Sequence, residues 1–554
     1  MTDSARTSFD YVIAGAGSAG CVLAARLSED PKCRVLLLEA GPEDRSIWLK
    51  MPAGMSRVAW GDRYSWAFTS APEPHLYNRQ LGHPRGKVVG GSSSINGMVW
   101  LRGHPRDFDG WAQLGARGWS YEEVLPYFCR SETAPASTDG LRGKSGPIRV
   151  TPGKIDASPL AKAFVAAGLE AGYAHTSDFN GTQQEGFGTV ERSTWRGRRW
   201  SAARGYLAPS RKRPNLTVVT RAQALAVELQ GRRATGLRYA MDGREHLAKA
   251  EEVILCGGAI GSPHILHLSG IGPRKHLEAA GIQVRHDLSD VGENLSDHPD
   301  LVIQHKCKKP VSLYPMTRAP RSWLAGLEWM LNGTGPAATN HFEAGGFITS
   351  RPELDHPDIQ FTFMPLAVVP GGVDILASHA FQVHIDLMRP RSRGHVRATS
   401  ANPFEAPEIL FNYLDDPQDL EDMRAGVRLL REVLSQPALA PFAGAEIFPG
   451  PTVRKDEEID RWIRQTLETC YHPVGTCRMG AADDPGAVVD PQCRVRGLER
   501  LRVVDASIMP AIVSANTNAS TIMIAEKAAD IIRGLTPPGA AQGMNEQDLW
   551  RARA

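Results

Sequence analysis

Residues 10–20 read Asp10-Tyr11-Val12-Ile13-Ala14-Gly15-Ala16-Gly17-Ser18-Ala19-Gly20, and Glu39 follows nineteen residues later. The apolar run before Gly15 predicts a β-strand, and Cys21-Val22-Leu23-Ala24-Ala25-Arg26-Leu27 after Gly20 predicts a helix. A second apolar run, Arg34 to Leu38, ends at Glu39. Strand, G-x-G-x-x-G turn, helix, strand and acid in that order predict a dinucleotide site. Gly15 permits the tight turn, Gly17 lets the backbone approach a pyrophosphate, and Gly20 lets helix and strand pack closely. The helix start at Ser18 would face the phosphates, and Glu39 would hold a ribose hydroxyl. An ordinary glycine-rich βα turn would leave the acid at the end of the second strand without a reason.

The chain has 554 residues, more than one core usually serves, so two domains or one elaborated domain are expected. Its 42% hydrophobic and 22% charged residues are ordinary for a globular protein, and a net charge of +2 gives no reason to expect nucleic acid. Eight scattered cysteines form no C-x-x-C pair, so no metal site is predicted and reduced thiols are the simple reading. The first nine residues are polar and do not fit a signal peptide, and no apolar run is long enough to span a bilayer. The expected location is cytoplasmic, with peripheral contact on an inner membrane left open.

Leu216-Thr-Val-Val-Thr and Glu252-Val-Ile-Leu-Cys predict further buried strands. Residues 311–460 mix short strand patterns, such as Phe381-Gln-Val-His-Ile-Asp-Leu, with a helical run near 418–435. That mixture suggests an antiparallel sheet with helices. Leu501 to Asp505 then reads as a strand ending in an acid, followed by an amphipathic helix from Thr521 to about Gly534. The expected fold class is α/β: a discontinuous Rossmann-like cofactor domain plus an α+β substrate domain. The expected cofactor-domain pieces are residues 8–155, 216–310 and 461–535, with substrate-domain pieces 156–215 and 311–460 and a tail at 536–554. Residues 131–147 are polar and read as a surface loop.

Further motifs recur along the chain: Gly90-Gly91-Ser92-Ser93-Ser94-Ile95-Asn96-Gly97, Gly258 to Pro263, Gly270 to Pro273, Val291 to His298, Tyr471-His472-Pro473-Val474-Gly475-Thr476-Cys477, Val504 to Ser507 and Asn516-Thr517-Asn518. Together with the opening turn they resemble the glucose-methanol-choline oxidoreductases, a family of FAD enzymes, over nearly the whole chain. Lys309 to Pro315 and Asn340 to Phe347 are most similar to the bacterial choline dehydrogenase branch.

The resemblance implies hydride transfer from an alcohol carbon to N5 of FAD, aided by a base near the hydroxyl. It places His472 as base or alkoxide stabiliser and Asn516 as the amide partner that donates to the substrate oxygen. The bland alternatives are a core histidine and asparagines (Asn516, Asn518) that cap a helix beginning near Ser520. Gly90, Gly91, Ser93, Asn96 and Gly97 would pass the flavin ring, and Asp505 with Ala506 would hold its chain, unless Asp505 only caps a helix. Some choline-oxidising relatives bond FAD covalently through a histidine where this chain has Ile95, so non-covalent FAD is implied. Glu343 would face a trimethylammonium, with Tyr471 and Phe381 (and Trp60 or Trp66) completing an aromatic box. The alternative there is a Glu–Arg pair among core aromatics.

Arg192, Arg196, Arg198, Arg199, Arg204 and Arg211-Lys212-Arg213 read either as solvated surface or as a dock for an anionic membrane carrying a quinone. The implied activity is oxidation of a primary alcohol, choline-like by preference, with electrons passing to a quinone or another non-oxygen acceptor. An uncharged alcohol, oxygen as acceptor, hydroxynitrile cleavage and a catalytically silent FAD protein are the competitors.

Overall fold

A computed structural model describes residues 8–134 and 140–538. The opening motif folds in the expected order: β1 (Ser8–Ala14), α1 (Ser18–Leu27) and β2 (Val35–Glu39). β1 lies centrally in a seven-stranded sheet. Its parallel neighbours are β2 on one side and Arg244–Leu255 on the other. Leu216–Thr220 extends the sheet beyond β2, and Leu501–Val503 joins it in parallel from the far end of the sequence. Two antiparallel strands, Gln223–Gln230 and Arg233–Met241, complete it. Val12, Ile13, Leu36 and Leu37 are buried on both faces, as a covered parallel sheet requires. Helix Thr517–Arg533 packs against α1, so the two termini of the fold share one core.

The second sheet has eight strands, mostly antiparallel. Its centre runs Pro299–Cys307, Ala380–Leu387, Ile359–Met364, Ala344–Ile348, with Gly186–Thr189 at one side. Side chains alternate between faces along each strand. One face sets Phe361, Phe363, Phe381, Val383 and Ile385 into a core with helix Pro417–Leu434. The other face carries the polar residues of the same strands towards the nucleotide-binding half.

Two strands cross the expected boundaries. Pro299–Cys307, expected in the cofactor part, is a central strand of the second sheet, and Glu468–Thr469 pairs with it. The expected surface loop at 131–147 is also revised where it is described. Glu132 is fully buried and paired with Arg102 and Arg142 at 2.6 Å each. Residues 135–139, and the expected tail from 539 onward, lie outside the described residues. All eight cysteines are free. No helix among the described residues is long and apolar enough to cross a membrane.

Candidate active site

One cavity of about 800 Å³ runs from the opening turn to the second sheet. At its nucleotide end it is lined by Gly15, Gly17, Ser18 and Glu39. Their packing gives each glycine a distinct reason. A Cβ on Gly15 would lie 2.6 Å from the Cys256 carbonyl oxygen, and one on Gly20 1.9 Å from that of Gly15. A Cβ on Gly17 would meet nothing closer than 4.0 Å, so that space is held open on the cavity side. Gly91 closes over the same point, where its Cβ would fall 2.6 Å from Gly17 Cα. An extended pyrophosphate fits this cradle. The Glu39 carboxylate accepts from the N–H groups of Ala16 (2.9 Å) and Gly41 (2.8 Å), and burial pushes its pKa up to about 7.

The flavin-proximal loop lines the cavity with Gly91, Ser92, Ile95, Asn96 and Gly97. Asn96 Oδ1 accepts from Arg199 Nη1 at 2.7 Å, so a buried arginine sets the loop. Gly90 and Ser93 stand behind the wall: Ser93 Oγ donates to the Gly90 carbonyl at 2.6 Å and accepts from Ala202 N–H. Gly20 likewise packs behind the turn. Asp505 lines the cavity, but its carboxylate takes four internal bonds, from Gly258 N–H, Ser262 Oγ, and the N–H and Oγ of Ser507. It therefore ties two chain segments together, beside Ala506.

His472 and Asn516 meet at the wall. Asn516 Nδ2 lies 3.1 Å from His472 Nε2. On its other side His472 Nδ1 lies 3.0 Å from His298 Nδ1, and His298 Nε2 lies 3.1 Å from the Met388 carbonyl. These contacts fix the tautomers. A carbonyl only accepts, so His298 Nε2 carries the hydrogen and its Nδ1 presents a lone pair. His472 Nδ1–H donates to that lone pair, leaving His472 Nε2 unprotonated and facing the cavity. Burial, His298 and Arg85 hold the His472 pKa well below the ordinary histidine value, and burial lowers His298 to about 3. The His472 N–H donates to Asp297 Oδ1 at 2.6 Å, and Tyr413 OH donates to Asp297 Oδ2 at 2.5 Å. Asn516 sits at the N-cap of helix Thr517–Arg533 without a side-chain capping bond, and Asn518 instead accepts from Ser18 Oγ at 2.7 Å.

The sheet wall of the cavity carries residues that the sequence reading did not select. Asp300, Gln360, Thr362, His384 and Asp386 line it, together with Cys470, Tyr471, Trp60, Trp66 and Phe342. Strand register creates the group: Asp386 lies opposite Asp300 on one side and opposite Gln360 on the other, and Thr362 lies opposite His384. Two acids face to face repel unless they share a proton. Burial and Asp300 accordingly push the Asp386 carboxyl well up. His384 Nδ1 donates to Asp300 Oδ2 at 2.8 Å, and Cys470 Sγ donates to Asp386 Oδ1 at 2.9 Å. Against burial, Asp300 and Asp386 draw the His384 pKa up to about 9. The hydrogen bonds limit that pull. Gln382 Oε1 accepts from Val368 N–H, which turns Gln382 Nε2 as a donor onto His384 Nε2 at 2.9 Å. A doubly protonated ring cannot accept there, so this contact opposes the pull of the two acids. Asp386 holds a proton, and the acid pair keeps one negative charge beside His384.

Two expected substrate residues are elsewhere. Glu343 does not line the cavity; its carboxylate binds Arg192 Nη1 at 2.7 Å, Lys154 N–H at 2.5 Å and the Thr339 hydroxyl. Burial opposes its ionisation, but Arg192 and these donors hold its pKa below the ordinary value. Phe381 is fully buried on the opposite face of its strand from His384 and Asp386, stacked on His305 in the second core. Tyr471 is on the wall, edge-on to Trp60 at 6.0 Å. The basic stretch is not one patch. Arg192 and Arg199 are buried, Arg211 pairs with Glu43, and Arg213 binds Ser28 Oγ. The missed polar row did leave a signal: Gln360 and Thr362, and His384 and Asp386, alternate with apolar residues in otherwise buried strands.

The comparisons with known proteins agree with this architecture. Family models described as GMC oxidoreductase match residues 9–300 and 390–525. The oxygen-dependent choline dehydrogenase 1 of Chromohalobacter salexigens is 48% identical over 534 residues, covering 96% of this chain and 95% of that one. The oxygen-dependent choline dehydrogenase of Yersinia pseudotuberculosis is 50% identical over 536 residues, covering 96% and 94%. Among solved structures, pyridoxine 4-oxidase of Mesorbium loti superposes with a TM-score of 0.87 at 32% identity, over 95% of this chain and all of that one. An Aspergillus oryzae formate oxidase variant gives 0.88 at 27% identity, over 96% and 99%. The chain belongs to the GMC oxidoreductases and is an FAD-dependent alcohol oxidoreductase.

Proposed function

We propose that this enzyme oxidises a primary alcohol carrying a cationic nitrogen, the choline class, to its aldehyde. The observation that carries the reading is the pairing of an unprotonated His472 Nε2 with the Asn516 amide, beside a wall that carries Asp300 and Asp386. The names of the relatives at about half identity support it. Bound FAD supplies the two-electron acceptor for the hydride that leaves the carbinol carbon. An alcohol entering between His472 and Asn516 gives its hydroxyl proton to Nε2 and accepts from Asn516 Nδ2. His298 receives the Nδ1–H of His472 and steadies the ring as it becomes positive. Tyr471, Trp60, Trp66 and Phe342 supply apolar walls that keep water from the reacting carbon. Gly15, Gly17, Ser18 and Glu39 hold the nucleotide end, and Ile95 offers no nucleophile for a covalent link.

For the electron acceptor, a quinone at a membrane surface is supported by helix Arg321–Asn332. Trp323, Leu324, Leu327, Met330 and Leu331 form one outward apolar stripe, with Trp323 and Leu331 each 73% exposed. Arg318 and Arg321 flank its start. A second reading, oxygen as acceptor, is favoured by the words "oxygen-dependent" in the names of the relatives. The test is anaerobic mixing of holoenzyme with choline, benzyl alcohol and alkanols, followed by aerobic turnover with peroxide detection. Bleaching of the yellow absorbance by choline above the neutral alcohols is the expected result. Failure of every alcohol to bleach it removes the reading, and peroxide formed one-for-one with substrate replaces the quinone by oxygen.

A further inference from the structure

The polar row on the sheet wall contains more acceptors than the protein itself satisfies. Asp300 is 7% exposed and Gln360 3% exposed, yet Asp300 Oδ1 and Gln360 Oε1 have no hydrogen-bond partner among the described residues. Gln360 Nε2 donates to Thr362 Oγ1 at 3.0 Å, which leaves its oxygen as the atom without a donor. Asp386 stands between the two in register, and its Oδ2 has only a long contact of 3.5 Å from the Thr362 hydroxyl. The acceptors of Asp300 and Gln360 thus flank the Asp386 carboxyl on one side of the cavity, two residues along the chain from His298 and from His472 through Cys470.

Buried acceptors with no donor are costly, so the row calls for a ligand that brings donors. The negative charge of its acid pair selects a cation. A quaternary ammonium has charge but no N–H and would leave both oxygens unpaired. A metal ion is disfavoured by His384, whose Nδ1 carries a hydrogen and donates it to Asp300 Oδ2. We propose that Asp300, Asp386 and Gln360 form a binding site for a substituted ammonium that keeps at least one N–H, so that the preferred substrate is an N–H-bearing amino alcohol and not its fully quaternary counterpart. This rests on the alcohol oxidation proposed above and narrows its substrate class. The N–H groups donate to Asp300 Oδ1 and Gln360 Oε1, and the positive charge offsets the carboxylate pair. The oxidised carbon, two bonds from nitrogen, is directed towards His472 and Asn516.

The test uses holoenzyme and a series with one alcohol group: ethanolamine, its N-methyl and N,N-dimethyl derivatives, choline, and the neutral isostere 3,3-dimethylbutan-1-ol. The expected result is a kcat/KM at least about ten-fold higher for the best N–H-bearing member than for choline, and higher again than for the neutral isostere. Gln360→Met, which removes the acceptor and keeps the volume, is expected to compress that ratio towards one while choline turnover is less affected. Equal or better turnover of choline than of N,N-dimethylethanolamine, or an unchanged ratio in Gln360→Met, overturns the proposal. So does loss of activity on chelation with recovery by a divalent metal. A separate arm measures binding by the change in flavin absorbance with two cations that cannot be oxidised, trimethylammonium and tetramethylammonium. Tighter binding of trimethylammonium supports the site even if no alcohol in the series is turned over, a result that would count against the oxidation alone. Equal binding counts against the site whatever the turnover.

Discussion

The two ends of the cavity are built from different kinds of information. At the nucleotide end, each requirement is local: Gly15, Gly17 and Gly20 lie within one turn, and each is explained by an atom that a Cβ would strike or a space it would fill. At the sheet wall, nothing is local. Asp300, Gln360 and Asp386 come from three strands and meet only through hydrogen-bond register. The first end works by absence of side chains and tolerates almost no substitution. The second works by paired donors and acceptors, where single changes shift preference before they abolish function.

Substitution at the nucleotide end should therefore give the largest effect. Gly17→Val fills the space facing the pyrophosphate, and purified protein should carry no FAD; a normal yellow holoenzyme would break the contrast at its stronger side. Next in size, His298→Phe removes the acceptor for His472 Nδ1–H. FAD should stay bound while flavin reduction slows by about ten- to a hundred-fold, with its pH profile displaced. An unchanged rate and profile would show that His298 only fills space.

The pH dependence of the unaltered enzyme follows from the depressed His472 pKa. A lowered pKa keeps the ring unprotonated as pH falls, so the acid limb of kcat/KM for flavin reduction should lie below the ordinary histidine range. A limb at or above pH 6.5 would mean a base other than a buried, neutral His472. The smallest effect on catalysis is expected at Glu343. Glu343→Gln weakens a buried pair with Arg192 and should lower stability by on the order of 3 kcal/mol, seen as a lower thermal midpoint. Its KM for the alcohol should change less than about two-fold. A steep KM rise without loss of stability would return Glu343 to the substrate site and sharpen the distinction between the two buried acids, Glu343 and Asp300.

The same contrast explains what could be read from the chain. The strand–turn–helix–strand–acid order from Asp10 to Glu39 was legible because helix and strand periodicity and glycine geometry act over a few residues. The joining of Leu501–Val503 to the first sheet was anticipated from its terminal acid and the helix after it. For Glu343 the sequence left two readings open, a binding group or a Glu–Arg pair; the structure shows the pair, whose partner, Arg192, lies 151 residues away and so could not be picked out from the local sequence around Phe342 and Ala344. Phe381 was misplaced by one step of strand alternation, which turns it to the core and turns His384 and Asp386 to the cavity. That parity was present in the sequence, but it gains meaning only once it is known which face of the sheet meets the nucleotide half.

The central claim is that His472, tautomerically fixed by His298 and Met388, presents a lone pair to the alcohol beside Asn516. Single-turnover anaerobic reduction of the flavin in His472→Ala tests it most directly. The account predicts a protein that keeps its FAD and loses about two to four powers of ten in reduction rate. Reduction at the rate of the unaltered enzyme, with FAD equally retained, would contradict it.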